Sequence, residues 1–146
     1  MKYKTILVSL LLVCWTQCAW ANEIAIQTII LEAQGESLEG QIAVGEVIRN
    51  RTDDVYTHGR YDDRVAQVVK RPYQFSCWNN HLIAKLRLPR VSGEAWQRAS
   101  KAWAESEESN LTNGATHYHA IGVSPKWASG KVGKRIGNHV FYRGIK

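Results

Sequence analysis

The sequence predicts an α+β fold, mostly helical, with a small β-sheet or hairpin at its C-terminal end. From residue 23 to about residue 107, apolar side chains recur at helical spacing behind residues that cap helices. Beyond Asn113-Gly114 the texture changes to period-two alternation, in residues 116–120 and again in 138–143, with a glycine-rich loop between. Helices followed by strands mark an α+β domain rather than alternating βαβ units. Only three prolines interrupt the 146 residues. No repeat, low-complexity tract or linker divides them.

The first 21 residues read as an export leader. Lys2 and Lys4 make a positive start, residues 5–13 are almost unbroken apolar sequence, and Ala19-Trp20-Ala21 has the small-x-small form of a cleavage site. The apolar run is short for a bilayer span, and no second one follows it. Left uncleaved, it would be an anchor. A lipoprotein site is disfavoured because Trp15-Thr16-Gln17, ahead of Cys18, lacks the small and aliphatic residues such a site needs. The expected organisation is a signal peptide over 1–21 and a single catalytic domain over 22–146, periplasmic or secreted, with no stable membrane insertion after cleavage. The remaining residues suffice for one domain with one core.

Cys14 and Cys18 lie in the leader, so Cys77 stands alone and no internal disulfide is expected. It is read as a small buried residue rather than a catalytic thiol. The chain carries 19 basic and 13 acidic side chains. Removing Lys2 and Lys4 lowers the net charge from +6 to about +4. That balance suits a polyanionic wall or a membrane surface. Charge alone would admit nucleic acid, but export argues against it.

Asn22 is placed to cap a first helix ending near Gln34, with Gly35 stopping it in a left-handed conformation. Ser37 caps a second helix from 38 to about 51, which turns Ala43, Val44, Val47 and Ile48 inward. Asp62 or Asp63 opens a third through Val65, Val68 and Val69, stopped by Pro72. Ser92 and Glu94 start a fourth, with Trp96 and Trp103 seven apart on its core side.

Glu32-Ala33-Gln34-Gly35-Glu36 puts two carboxylates where an apolar helix gives way to a glycine turn. An acid held at a helix end beside a cleft is what protonation of a glycosidic oxygen requires. Apolar flanks and the negative helix end both favour the protonated form of Glu32. Glu36, beyond the turn, is expected to be more exposed and to touch substrate or orient Glu32. A plain turn or capping role fits it equally.

These residues also carry a resemblance. Glu32 to Glu36, Gly40-Gln41-Ile42-Ala43-Val44-Gly45 with Val47-Ile48-Arg49-Asn50-Arg51, and Gln74-Phe75-Ser76-Cys77-Trp78 come first. Gly114-Ala115-Thr116-His117-Tyr118-His119, Pro125-Lys126-Trp127 and Ile136-Gly137-Asn138-His139-Val140-Phe141-Tyr142 follow in order. In this set the chain resembles the cell-wall hydrolases of the spore-cortex-lytic (SleB-like) type, over nearly all of residues 22–146. The resemblance implies a lysozyme-like domain acting on the glycan strands of peptidoglycan, without metal or other cofactor. Several such enzymes are lytic transglycosylases, which implies cleavage of the MurNAc–GlcNAc β-1,4 bond with Glu32 as general acid and then base. Gln34 stands where the family commonly has arginine. No separate wall-binding repeat domain of the kind some relatives carry is expected, so the substrate would be found by the catalytic domain itself or through a targeting or activating protein.

Phe75, Trp78, Tyr118 and Trp127 fall in loops or at strand ends, where flat rings can hold sugars or pack into the core. Gln74 and Ser76 can hydrogen-bond N-acetyl groups. His117 and His119, two apart on a strand, share a face and can serve substrate or the catalytic acid. They can also ligate zinc with His139 or Glu32, which would make the protein a metal-dependent amidase. A non-catalytic wall-binding module is the third reading.

Overall fold

The computed structural model describes residues 23–55 and 58–145. The export leader and the Asn22 cap lie outside these residues. Helix α1 spans residues 23–33 and buries Ala25, Ile29, Ile30 and Ala33. The amides of Gln34 and Glu36 close a tight turn behind it, on the carbonyls of Ile30 (3.1 Å) and Ala33 (2.9 Å). Gly35 is not left-handed, contrary to expectation, because those two bonds already satisfy the helix end.

Helix α2 (Leu38–Val55) begins at the expected cap, where Ser37 Oγ accepts the Gly40 amide at 3.3 Å. It runs past Arg51 to Val55, since nothing in Thr52-Asp53-Asp54 breaks a helix. Residues 40–48 are buried on every side, which makes α2 the central post of the molecule. Helices α3 (Tyr61–Lys70) and α6 (Gly93–Glu105) pack against it, through Val65, Val68 and Val69 and through Ala99, Ala102 and Trp103. Close approach of α6 needs Gly45, where a Cβ would stand 2.9 Å from Ser106. Ser92 caps α6 as expected, accepting from the Ala95 amide at 3.3 Å.

Two short helices were not expected, α4 (Ser76–Asn79) and α5 (His81–Arg87), the latter leading into a 3₁₀ turn at Leu88–Arg90. Both are too brief for an apolar period to show. The local sign of α5 is Asn80, whose side chain accepts from the Leu82 amide at 3.0 Å.

Asn113 and Gly114, both left-handed, turn the chain into the sheet. Strands β1 (His117–Ala120), β2 (Lys134–Ile136) and β3 (His139–Tyr142) form an antiparallel sheet in the order β1-β3-β2. The third strand, β2, lies in what reads as a glycine-rich loop. His117 pairs with Tyr142, Tyr118 with Phe141, His119 with Val140 and Ala120 with His139. Tyr118 therefore shares with Phe141 and His139 the face turned to the helices, whereas His117 and His119 face outward with Tyr142. Trp127 covers that outer face from the 3₁₀ turn Lys126–Ala128.

Candidate active site

Glu32 occupies the last turn of α1, half-buried, with its carboxylate between two walls. From one side Oε1 accepts the Cys77 amide at 3.1 Å and the Ser76 hydroxyl at 3.4 Å, both at the start of α4. From the other, the Tyr118 hydroxyl of β1 donates to Oε2 at 2.9 Å. Its setting is more polar than the apolar spacing of α1 suggests.

Three consecutive residues of α2 brace the surroundings, and two of them, Asn50 and Arg51, hold the walls. Arg49 reaches α6, donating to the Ser106 hydroxyl and the Trp103 carbonyl at 2.8 Å each, with its guanidinium over the Trp103 ring. Asn50 holds the Ala115 carbonyl at 2.9 Å. Arg51 donates to the carbonyls of Thr116 and Gln74 and lies over the Phe75 ring. Thr116 is two residues before Tyr118, and Gln74 two before Ser76. One guanidinium thus sets the separation of both groups of donors that close on Glu32.

Electrostatics follow from this enclosure. Burial holds the Tyr118 hydroxyl well above its usual range, and Glu32 raises it further, so it stays a neutral donor. The Cys77 thiol is likewise pushed far up, by burial first and by Glu32 second. Burial lowers Arg51, opposed by attraction to Glu32. His117 is lowered by burial and then by Arg51.

Glu36 differs from its expected exposed position. Its side chain is 10% exposed, and its oxygens accept the Asn138 amide (3.0 Å) and Asn138 Nδ2 (3.2 Å), with His139 Nδ1 at 4.0 Å. It pins the start of α2 to the β2–β3 turn. Phe75 is 1% exposed and packs in the core, so it offers no ring to a substrate. Trp78 commits its indole N–H to Thr28 Oγ1 at 2.9 Å and keeps only part of its ring at the surface. Ser76 lies at the carboxylate, and half-buried Gln74 lends its backbone carbonyl to Arg51.

His117, His119 and Trp127 are brought together, but on the outer face of the sheet. His119 Nε2 lies 3.0 Å from the Tyr142 hydroxyl, and Trp127 packs against both histidine rings. Strand alternation therefore separates this pair from Glu32 and His139, and the zinc set proposed from spacing does not converge. Among the described residues no cluster of His, Cys, Asp or Glu is arranged to hold a metal.

Sequence reasoning did not single out Arg51 or the Cys77 amide. The Arg49-Asn50-Arg51 motif was the signal for the first; a backbone donor leaves no trace in residue identity. Two cavities lie elsewhere. One of 330 Å³ between α2 and α6 is lined by Glu46, Arg49 and Ser106, and one of 680 Å³ beside the sheet by Thr112, Lys134 and Arg143. Glu32 lines neither.

A half-buried glutamate, Glu32, held between the helical layer and a three-stranded sheet defines an acid-bearing α+β domain of lysozyme-like build. The cell wall hydrolase family model matches residues 35–142, and the chain belongs to that family. Glu32 stands three residues before the matched span. The fold is similar to the catalytic domain of the Bacillus cereus SleB protein, at 25% identity and a TM-score of 0.62, over 83% of this chain and 88% of that one. It is also similar to the catalytic domain of the germination-specific lytic transglycosylase SleB from Bacillus anthracis. There the identity is 24% and the TM-score 0.63, over 83% of this chain and 92% of that one. No curated protein matches the chain. No helix among the described residues is long and apolar enough to cross a membrane.

Proposed function

We propose that the protein is a peptidoglycan lytic transglycosylase, exported by its leader to the periplasm or beyond, with Glu32 as its general acid and base. The observation that carries this reading is the enclosure of Glu32 by Ser76, Cys77 and Tyr118. A carboxylate has about four lone-pair sites. Three donors leave one site, on Oε2 beside the Tyr118 hydroxyl, to carry the proton that Glu32 donates to the substrate oxygen.

In the proposed reaction protonated Glu32 gives its proton to the glycosidic oxygen as the bond from the MurNAc anomeric carbon breaks. The 6-hydroxyl of the same MurNAc then attacks that carbon and returns its proton to Glu32. The products are a free GlcNAc hydroxyl and a 1,6-anhydro ring, with the acid regenerated. A retaining hydrolase needs a second free carboxylate about 5 Å from the first. Glu36, the other acid of the motif, has both oxygens occupied by Asn138, which favours the single-acid route. The structural likeness to a protein described as a lytic transglycosylase supports the same choice.

The test is mass spectrometry of fragments released from purified peptidoglycan. Muropeptides ending in anhydro-MurNAc are expected. Reducing ends would mean attack by water and sink the transglycosylase reading, and free stem peptides on intact glycan would mean an amidase.

A further inference from the structure

Helix α5 is inside out. Its buried member is Ala84, while Leu82 (60% exposed), Ile83 (46%) and Leu86 (52%) point to solvent. Helix burial normally does the reverse. Exposed Lys85 interrupts these aliphatics, and exposed Arg87 and Arg90 border them at the C-terminal end. Between Asp63 and Glu94 the chain has six basic residues and no acidic one. Tyr73, 88% exposed, lies in the same stretch, and its amide is bonded to Asn79 at 3.0 Å, just before α5. Lys70 and His81 share a groove with Trp78 and Ile24 at the near end; the acid there is Glu23, which is hydrogen-bonded to Gln27.

We propose that the outward face of α5 is a docking surface for an anionic lipid bilayer. Aliphatic side chains interspersed with lysine and arginine on one helix face are the chemistry of an interfacial helix: apolar groups enter the acyl boundary and cations meet lipid phosphates. A polyanionic glycan would engage the charges but not Leu82, Ile83 and Leu86. An acidic protein partner would bind whatever the composition of the vesicles, so the assay below separates it from a lipid surface. Arg87 also donates to the Leu31 carbonyl at 3.4 Å, next to Glu32. Docking would therefore hold the catalytic wall close to the membrane, where the innermost glycan strands lie.

The assay is cosedimentation of the chain from Asn22 onward, which contains the whole described fold, with vesicles. Phosphatidylcholine alone is compared with phosphatidylcholine mixed with phosphatidylglycerol. The protein should bind the anionic vesicles, weakly or not at all the neutral ones, and less as salt rises. Lys85→Glu and Arg90→Glu should each weaken binding roughly fivefold or more. The Leu82→Ser/Ile83→Ser/Leu86→Ser triple variant should abolish it, with circular dichroism and wall cleavage unchanged. Failure of the wild-type protein to bind anionic vesicles would overturn the proposal and point to a protein partner. Binding by the charge variants and the triple variant as tight as wild type would overturn it too. No substrate enters this assay, so its outcome is independent of the reaction proposed above.

Discussion

Glu36 fills the space that a side chain at position 137 would need. A Cβ built on Gly137 falls inside the Glu36 carboxylate, and the backbone there is left-handed at φ +57°. Gly137→Ala should therefore destabilise the fold by about 1–3 kcal/mol, read as a lower denaturant midpoint. Glu36→Gln should also lower stability while leaving wall cleavage within a few-fold of wild type. An inactive but fully stable Glu36→Gln protein would move Glu36 from clamp to catalyst.

Glu32→Gln removes the transferable proton and leaves the shape. Cleavage should fall by about 10²–10⁴-fold with unchanged thermal midpoint and wall binding. Tyr118→Phe, which takes away one charge-assisted hydrogen bond, should reduce cleavage about 10- to 100-fold. Retained activity in Glu32→Gln would refute the mechanism.

Arg51 separates charge from geometry. In Arg51→Gln two part-buried carbonyls lose their donor, at about 1 kcal/mol each. Arg51→Lys keeps the charge without the fork, so it should recover only part of the lost stability and cleave more slowly than wild type. Full stability and full cleavage in Arg51→Gln would remove Arg51 from the support of the site.

The parts of this design that were readable in advance are those written in side-chain identity and period. Val65, Val68 and Val69, or Ala99, Ala102 and Trp103, announce their helices by spacing. Thr116 onward announces a strand, and the order of motifs brings Glu32 and Tyr118 under suspicion together. What stayed hidden depends on tertiary placement. Strand β2 is three residues long, with Lys134 and Arg135 exposed, so it has no pattern to display. Phe75 and Trp78 read alike as loop aromatics, yet one is swallowed beneath Arg51 and the other is tied to Thr28. Glu36 looks exposed because its partner, Asn138, is 102 residues away.

Cys77 should behave as an inert thiol. Its burial and the neighbouring carboxylate keep the thiolate from forming at ordinary pH. Thiol reagents should modify it only after unfolding. Cys77→Ala should stay active, because the backbone amide makes the 3.1 Å bond to Glu32. Rapid labelling of the native protein would contradict this enclosure.

His117 gives stability a pH dependence. Its folded value lies below the usual 6.5, so the unfolded chain binds the proton more readily. The contribution is whole above about pH 6.5 and is lost as pH falls through that value towards the lower folded one. Melting curves between pH 8 and 5 should show this decline, and His117→Gln should flatten it. A variant as acid-sensitive as wild type would assign the effect elsewhere.

The donors that surround Glu32 lie 44, 45 and 86 residues further along the chain. A ribosome makes the acid early and its last partner late, and no local segment can assemble the centre by itself. Contacts of such separation form late because long loops must close first. The proposed catalytic centre is therefore incomplete in every nascent or half-folded copy, and completion of the sheet acts as its safety catch.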